Sequence, residues 1–175
     1  MLLIGAGGTG KSEILFKIKE KLGHAVVVTA TTGKAAALID GSTVHCAINV
    51  PVKAKDMKPL TGPGLEALQN RLRSVSHIII DEFSMINGSF LHWIDQRCRQ
   101  GKHRNEPFGG LSVLLSGDPA QLAPIGGTPL WVDAERSTSV TEALGKVLYG
   151  MFKTVFFLTR NYRQSSPQAK HLANS

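Results

Sequence analysis

The chain has 175 residues, 42% of them hydrophobic and 19% charged, which is enough for one soluble domain with a core and includes no apolar run of membrane-spanning length. Its formal net charge of +7 suggests a polyanionic partner, with nucleic acid as the usual candidate, unless the charges serve only to solvate the surface. Two cysteines are too few for a disulfide framework and indicate a reducing, intracellular compartment, and the six histidines lack zinc-ligand spacing.

A glycine-rich segment near the start, residues 5–12, fits the pattern G-x-x-x-x-G-K-[ST]. Glycines let such a loop wrap closely around phosphate, with backbone N–H groups aimed at the phosphate oxygens. The pattern predicts that Lys11 reaches the β- and γ-phosphates of a nucleotide and that Ser12 holds Mg²⁺. The predicted phosphate-binding residues are Gly8, Thr9, Gly10, Lys11 and Ser12. The alternative is a glycine-rich turn that arises by chance.

The residues on either side of this loop support the phosphate site. Residues 2–4 are an apolar run typical of a buried strand, and apolar residues follow Ser12 at helical spacing as far as Leu22. Gly23 is positioned to end that helix. The order of strand, loop and helix would bring the positive N-terminal end of the helix against the anion.

Short apolar runs alternate with helical patterns along the rest of the chain. The predicted strands are residues 2–4, 25–29, 77–80, 111–115 and 155–158. Further helices are predicted at residues 34–39, 65–72 and 90–99, the last ended by Gly101, and on a face formed by Leu144, Val147, Leu148 and Met151. Residues 49–64, with three prolines and two glycines, predict a loop or an irregular insertion. The alternation predicts an α/β fold, a parallel sheet of about five strands with helices on both faces.

Two adjacent carboxylates, Asp81 and Glu82, come directly after the buried run at residues 78–80. Ligands bind at the carboxyl ends of the strands in open α/β sheets, so both side chains are expected near the phosphate loop. Asp81 is suited to hold Mg²⁺ through a water molecule, and Glu82 to orient an attacking water. The alternative is a pair of surface charges that end a strand.

Two later segments also leave predicted strands at this edge of the sheet. Residues 116–122 bring Asp118 and Gln121 there, and an amide can sense the γ-phosphate; the alternative is a Gly-Asp-Pro turn with a capping aspartate. Residues 158–164 carry Arg160 and Arg163. An arginine at this place could reach the charge that develops on the γ-phosphate, and the alternative is a solvated, basic exit from the sheet.

Taken together, these motifs resemble the first motor domain of a superfamily-one DNA helicase of the petite-integration-frequency (Pif-type) family. The resemblance extends from Gly5 to Gln164. In order along the chain, residues 5–12 resemble motif I, residues 29–36 motif Ia, residues 41–45 the family's Gly-x-Thr-Ile-His segment, residues 81–86 the Asp-Glu-x-Ser-Met form of motif II, and residues 109–125 motif III. Residues 158–164 resemble the segment with the motif IV arginine, which falls on Arg163. The implied fold is that of a RecA-like P-loop nucleoside triphosphatase.

The resemblance implies ATP-dependent, 5′-to-3′ translocation on single-stranded DNA and unwinding of forked DNA, with ATP and Mg²⁺ as cofactors. The residues implied in catalysis are Lys11, Asp81, Glu82, Gln121 and Arg163, with Ser12 and Asp81 at the metal. Those implied in contact with single-stranded DNA are Thr32, Gly33, Lys34, Thr43 and His45. For His45 the alternative is a partly buried histidine that pairs with a backbone carbonyl. A basic cluster, formed by Arg97, Arg99, Lys102 and Arg104, is expected to be a solvated face.

The chain departs from the family pattern at Thr31, where proline is usual, and at Ala123, where proline is frequent. We expect both changes to alter slightly the loop that meets DNA. Residues 1–164 are expected to form the motor domain without its N-terminal part, and residues 165–175 a polar tail or the start of a second RecA-like domain. The family's adenine-reading glutamine, second motor domain and duplex-splitting wedge have no counterpart, so the chain is interpreted as a fragment or a truncated product.

Two other functions remain open at this stage. One alternative is a truncated ATP-binding module without helicase activity, because stepping along DNA requires two domains whose relative position depends on ATP. A non-helicase ATPase, such as a clamp loader or a nucleotide kinase, is the other, against which the Gly-Asp-x-x-Gln segment argues. The resemblance implies an intracellular protein, nuclear or mitochondrial in a eukaryote, and roles in telomere maintenance, repair, recombination or a rolling-circle transposon.

Overall fold

One six-stranded parallel sheet organises the chain, for which a computed structural model describes residues 1–53 and 57–162. The strands are β1 (Leu2–Gly5), β2 (Val26–Ala30), β3 (Ser42–Thr43), β4 (His77–Asp81), β5 (Ser112–Gly117) and β6 (Val155–Leu158). Their order is β3-β2-β4-β5-β1-β6, and every pairing is parallel. The predicted α/β class and all five predicted strands are confirmed. The additional strand, β3, has two residues, too few to produce a recognisable alternation.

Helices cover both faces of the sheet, as predicted. They are α1 (Lys11–Leu22), α2 (Gly33–Leu38), α3 (Val44–Ile48), α4 (Gly62–Leu72), α5 (Gly88–Lys102) and α6 (Val140–Tyr149). Successive strand residues point to opposite faces, so Ile79 joins a core with Leu15 of α1 and Ala36 of α2, whereas Ile78 and Ile80 join the core formed with the four later helices. Among the described residues, no helix combines the length and apolarity needed to cross a membrane.

The end of α5 differs from the prediction. Gly101 was expected to end this helix, but it lies inside the helix and is buried, and the left-handed turn comes at His103 with φ 51°. A Cβ atom at Gly101 would stand 2.5 Å from Cδ1 of Leu72 in α4. The glycine therefore serves the close approach of two helices rather than the termination of one.

Helix α6 packs against the rest of the protein with a different face from the one predicted. Of the four residues predicted to line one face, Leu148 is buried, whereas Leu144, Val147 and Met151, which follows the helix, are 46–63% exposed. The buried face holds Glu142, Gly145 and Lys146 as well as Leu148. A Cβ at Gly145 would overlap the carbonyl oxygen of Gly88 in α5, so this crossing requires glycine.

Glu142 anchors the long segment between β5 and α6. One carboxylate oxygen accepts hydrogen bonds from the backbone N–H and the hydroxyl of Thr128, both at 2.8 Å, and the other from the N–H and hydroxyl of Thr138, at 2.9 and 2.7 Å. The hydroxyl of Thr128 also accepts a bond from Nζ of Lys146. These bonds, first the N–H bond from Thr128 and then that from Thr138, lower the pKa of Glu142 to about 2.

The basic cluster is not the solvated face that was expected. Arg97 is 2% exposed, and its Nε donates to the carbonyl of Asn49 at 2.9 Å. Arg99 pairs with Asp95 at 2.7 Å, and Nζ of Lys102 donates to backbone carbonyls at and beyond the C-terminal end of α4. Three of the four cluster residues therefore stabilise the packing of α5, and Arg104 is exposed.

We expect Glu142→Gln to lower the free energy of unfolding by about 3 kcal/mol at pH 7, because an amide keeps one pair of hydrogen bonds at most and leaves Lys146 buried without a counter-charge. Because folding depresses the pKa of Glu142, its contribution is fully present above the ordinary value of 4.5 and disappears as the pH falls towards 2. Urea unfolding at pH 7 and pH 3 measures this.

The matched control is Glu135→Gln, which removes an exposed carboxylate from the same segment. It should change the unfolding free energy by less than about 0.5 kcal/mol. Equal effects of the two substitutions at pH 7 would contradict the anchoring role of Glu142.

Candidate functional site

The glycine-rich loop connects β1 directly to α1. Gly8 and Gly10 have φ angles of 85° and 90°, a left-handed conformation that glycine adopts readily. Gly10 stands at the N-cap of α1, and no side chain caps this helix. The first N–H groups of α1 are therefore left for a ligand, and the helix dipole favours an anion there.

The other predicted phosphate-binding residues take up distinct places in the loop. Nζ of Lys11 donates to the carbonyls of Gly5, at 2.6 Å, and Ala6, at 3.2 Å, which keeps its charge on the loop. Thr9 is buried, and its hydroxyl donates to the carbonyl of Ala6 at 2.8 Å. Ser12 is exposed in the first turn of α1. The structure thus brings all five predicted residues, 8 to 12, into one loop and helix start.

Asp81 reaches the same edge of the sheet from β4. Its side chain is buried, and among the described residues Oδ1 has no hydrogen-bond partner. The same holds for the hydroxyls of Ser84, just after β4, and Ser116, at the end of β5. A buried polar atom without a partner is costly, so Oδ1 of Asp81, at the carboxyl end of β4, fits a site completed by a ligand.

The chemistry of this edge fits Mg²⁺. The ion prefers oxygen ligands and is usually held by one or two carboxylates together with substrate phosphates. Asp81 supplies a carboxylate oxygen and Ser12 a hydroxyl. The described residues contain no group of three or more His, Cys, Asp or Glu side chains able to hold a metal.

Glu82 follows Asp81 in a left-handed backbone conformation, with φ 58°. Such a conformation in a residue other than glycine is held by its surroundings and is frequent at functional sites. Burial raises the pKa of the Glu82 carboxyl, the nearby charges of Asp81 and Asp118 raise it further, and Lys11 acts in the opposite direction. The four charged side chains therefore share one electrostatic site.

Asp118 and Gln121 lie in the turn after β5. Oδ1 of Asp118 accepts from the N–H of Ala120 at 3.0 Å, which is the capping arrangement of the alternative interpretation. Gln121 is exposed, and its side-chain nitrogen lies 3.9 Å from the position that a Cβ on Gly7 would occupy. The turn therefore holds the amide of Gln121 beside the phosphate loop.

The segment after β6 also contacts the loop. Nδ2 of Asn161 donates to the carbonyl of Gly7 at 3.1 Å, and the N–H of Tyr162 donates to the carbonyl of Gly8 at 2.9 Å. Arg163, predicted as a catalytic residue, lies outside the described residues, as do Gln164 and the predicted tail at 165–175. The segment after β6 thus reaches the phosphate loop at Asn161 and Tyr162.

Tyr162 is a candidate site residue that the sequence analysis missed. The residue is 58% exposed, and the guanidinium carbon of Arg160 lies 5.1 Å from the centroid of its ring. The ring borders a cavity of about 650 Å³ that begins at the phosphate loop and is also lined by Thr9, Gly10, Glu13, Ile14 and Phe157. An exposed aromatic ring beside a phosphate site can stack on a nucleotide base. The signal in the sequence was an aromatic residue just after a strand that ends near the loop.

The residues predicted to contact DNA lie next to motif II in space. Ala30, at the end of β2, is paired with Thr43 of β3 on one side and with Asp81 of β4 on the other. The hydroxyls of Thr32 and Thr43 cap α2 and α3 by accepting bonds from the N–H groups of Ala35 and Cys46, at 3.2 and 3.3 Å. Gly33 and Lys34 are exposed at the start of α2.

His45 has the geometry of the alternative interpretation. Its Nδ1 lies 2.8 Å from the carbonyl oxygen of Val50, and its ring stacks on Phe90 with centroids 5.0 Å apart. The stacked pair lines a groove of about 610 Å³. The groove is also lined by residues that the sequence analysis did not single out as ligand contacts, among them Thr31, Met85, Asn87, Trp93 and Ile125. One edge of the sheet therefore carries the candidate phosphate site and, next to it, a partly aromatic groove.

Comparisons with protein families, curated proteins and solved structures all identify similarity to Pif1-type helicases. The family model described as PIF1-like helicase matches residues 1–174. The ATP-dependent DNA helicase PIF3 of Trypanosoma brucei brucei is 36% identical over 126 residues, which is 70% of this chain and 15% of that protein. The ATP-dependent DNA helicase RRM3 of Saccharomyces cerevisiae is 36% identical over 128 residues, 69% of this chain and 18% of that protein. The chain thus spans less than a fifth of the length of these curated relatives.

Solved structures match over nearly the whole chain. The structure of Bacteroides Pif1 bound to ssDNA has a TM-score of 0.67 and 25% sequence identity, and the match covers 99% of this chain and 41% of that one. The structure of Pif1 helicase from Bacteroides in complex with ADP-AlF3 and ssDNA gives the same TM-score and coverage, with 26% identity. The RecA-like fold implied by the resemblance is therefore confirmed.

We expect Glu82→Gln to raise the stability of the protein at pH 7, by less than about 1 kcal/mol because the site is partly open to solvent. The raised pKa of Glu82 means that ionising this carboxyl costs folding free energy above its ordinary pKa of 4.5. The gain should therefore vanish below pH 4.5, where the carboxyl is protonated in both the folded and unfolded states. Thermal unfolding across pH 4 to 8 measures the gain, with Glu66→Gln on the exposed surface of α4 as control. A gain that did not depend on pH would contradict this account.

Proposed function

The chain belongs to the PIF1-like helicase family, and we propose that it is the ATP-hydrolysing motor domain of a DNA helicase. The observation that carries the proposal is that the parallel strands β4, β5 and β1 bring Asp81 with Glu82, Asp118, and the glycine-rich loop with Lys11 to the same edge of the sheet. ATP would bind with its phosphates in the loop and its base beside Tyr162. Relatives named ATP-dependent DNA helicases, and a neighbour solved with ADP-AlF3 and ssDNA, support this choice of ligands.

The chain's own residues have distinct roles in this proposal. Lys11 and the N–H groups at the start of α1 bind the phosphates, while Ser12 and Asp81 would hold Mg²⁺. When bound, the ion neutralises negative charge on the phosphates. Glu82, whose raised pKa reflects a partly buried carboxyl, accepts a proton from the attacking water and orients it. Gln121 contacts the γ-phosphate, and Arg163 stabilises the charge that develops on it.

Single-stranded DNA would bind across the ends of β2 and β3. Lys34 supplies charge, and the hydroxyls of Thr32 and Thr43 can donate to phosphate while they accept their capping bonds. Gly33 allows the backbone to approach a phosphate closely, since nothing lies within 4 Å of its Cβ position. The ring of His45, supported from behind by Phe90, can stack on a nucleotide.

Translocation and unwinding require a second RecA-like domain that closes on the nucleotide and opens when it leaves. We propose that residues 1–164 form one motor domain. Together with a second RecA-like domain, this motor domain would move 5′-to-3′ on single-stranded and forked DNA. Roles in telomere maintenance, repair or recombination, in the nucleus or mitochondrion of a eukaryote, belong to the same proposal. The second candidate is an ATP-binding module without motor activity, because stepping requires two domains whose relative position depends on ATP.

The first test is ATP hydrolysis by the chain with and without single-stranded DNA at low salt, because phosphate contacts weaken steeply with salt. We expect turnover that DNA stimulates. Glu82→Gln should reduce turnover by at least about 100-fold and leave ATP binding within a factor of about two, because the carboxylate acts on water rather than on the nucleotide. Unchanged turnover in this variant would refute the role of Glu82. Binding of Mg-ATP without any turnover, and no strand separation, would favour the ATP-binding module.

We expect Lys34→Ala to weaken binding of labelled oligothymidylate and to reduce the salt dependence of log K by about 0.7, the value for one phosphate contact to a single strand. Fluorescence anisotropy over a salt series measures both. The control is Lys153→Ala. Lys153 is exposed and lies just before β6, the outermost strand on the side of the sheet opposite β3, so its replacement should leave the slope unchanged. Equal slopes in the two variants would exclude a phosphate contact at Lys34.

A further inference from the structure

Thr31 lines the groove and also forms hydrogen bonds with the backbone of the two proposed catalytic residues, Asp81 and Glu82. Its N–H donates to the carbonyl of Asp81 at 3.3 Å, and its hydroxyl donates to the carbonyl of Glu82, also at 3.3 Å. The sulfur of Met85 lies 3.6 Å from the same hydroxyl. The side chain of Thr31 also lines the groove. One residue therefore contacts both sites.

Thr31 is also adjacent in the chain to the residues assigned to DNA. Thr32 caps α2, and Gly33 and Lys34 follow in the first turn of that helix. On the other side, Ala30 is held in the sheet by pairing with Asp81. If binding of a phosphate shifted the start of α2, Thr31 would therefore be the first residue to move. Ala30 before it is fixed in the sheet, whereas the residues after it are not part of the sheet.

Glu82, whose carbonyl accepts the hydroxyl bond of Thr31, has an unusual backbone conformation. Its φ of 58° is sparsely populated for a residue with a Cβ and persists only where neighbouring groups hold it. Its carbonyl accepts two hydrogen bonds, from the N–H of Met85 at 3.2 Å and from the hydroxyl of Thr31. The second of these comes from a distant part of the chain, the residue just after β2, and it is the one that can respond to the groove.

We propose that Thr31 is a positioning residue that couples occupancy of the groove by single-stranded DNA to the placement of Glu82 at the nucleotide. This inference rests on the proposed function and adds to it the contact through which the two ligands influence each other. Coupling of this kind is a free energy shared by two sites, so each ligand changes the affinity of the other by the same factor. Proline, usual at this position in the resemblance described above, has neither the N–H nor the hydroxyl, so the link belongs to this chain's own sequence.

The test measures the affinity of the full chain for a fluorescent, non-hydrolysable ATP analogue with and without saturating oligothymidylate. We expect DNA to change the analogue's affinity by at least about fivefold in the unmodified chain. Thr31→Val keeps the shape of the side chain and removes the hydroxyl donor, so the change should fall below twofold while each ligand alone still binds within twofold of the unmodified chain. Thr31→Ser keeps the donor and should restore the coupling.

Thr61→Val makes the same chemical change at an exposed position before α4, where the hydroxyl caps nothing, and should leave the coupling unchanged. A Thr31→Val chain that retains the full coupling would overturn the proposal, as would an unmodified chain that binds both ligands independently. Loss of both affinities in Thr31→Val and Thr31→Ser alike would also overturn it, because that pattern indicates a structural role only. If the unmodified chain bound neither ligand, the proposed function itself would fail.

Discussion

The parallel pairing of β4 with β5, and of β5 with β1, is the constraint on which both sites depend. Its register sets Ile80 beside Leu115 and Leu115 beside Leu2, so these strands release their chains at the same edge of the sheet. The apolar residues that hold this register are among the most deeply buried in the protein. The polar groups that follow are therefore gathered by hydrophobic packing, which is non-directional, and then oriented by short turns.

The two sites are neighbours because β2 is the strand adjacent to β4. Ala30 lies between Thr43 and Asp81, so the carboxylates assigned to catalysis are one strand spacing from the DNA segment after β2 and two from Thr43. Coupling between them does not need a long path through the core. It needs one residue with donors on both its backbone and its side chain, and Thr31 occupies that position.

Several charges in this chain support its structure rather than a ligand. Arg97 and Lys102 use their donors on backbone carbonyls around α3 and α4, and Lys146 is buried beside Glu142. The net charge of +7 therefore overstates what the surface offers to a polyanion. Lys11 and Lys34, two positive groups at the functional edge, belong to the motifs rather than to the basic cluster.

Patterns between neighbours in the chain were sufficient to predict the α/β class, five of the six strands and the phosphate loop, because apolar periodicity and glycine spacing are local properties. The same holds for the placement of Asp81 and Glu82 at the carboxyl end of β4, because they directly follow a buried run. Contacts between distant segments had no such signal. Gly101 has the sequence appearance of a helix end, yet it is buried against Leu72, and Tyr162 reaches Gly8 from the far end of the chain. Which residues meet in space depends on the pairing of strands and the packing of helices, and these arise only when the whole chain has folded.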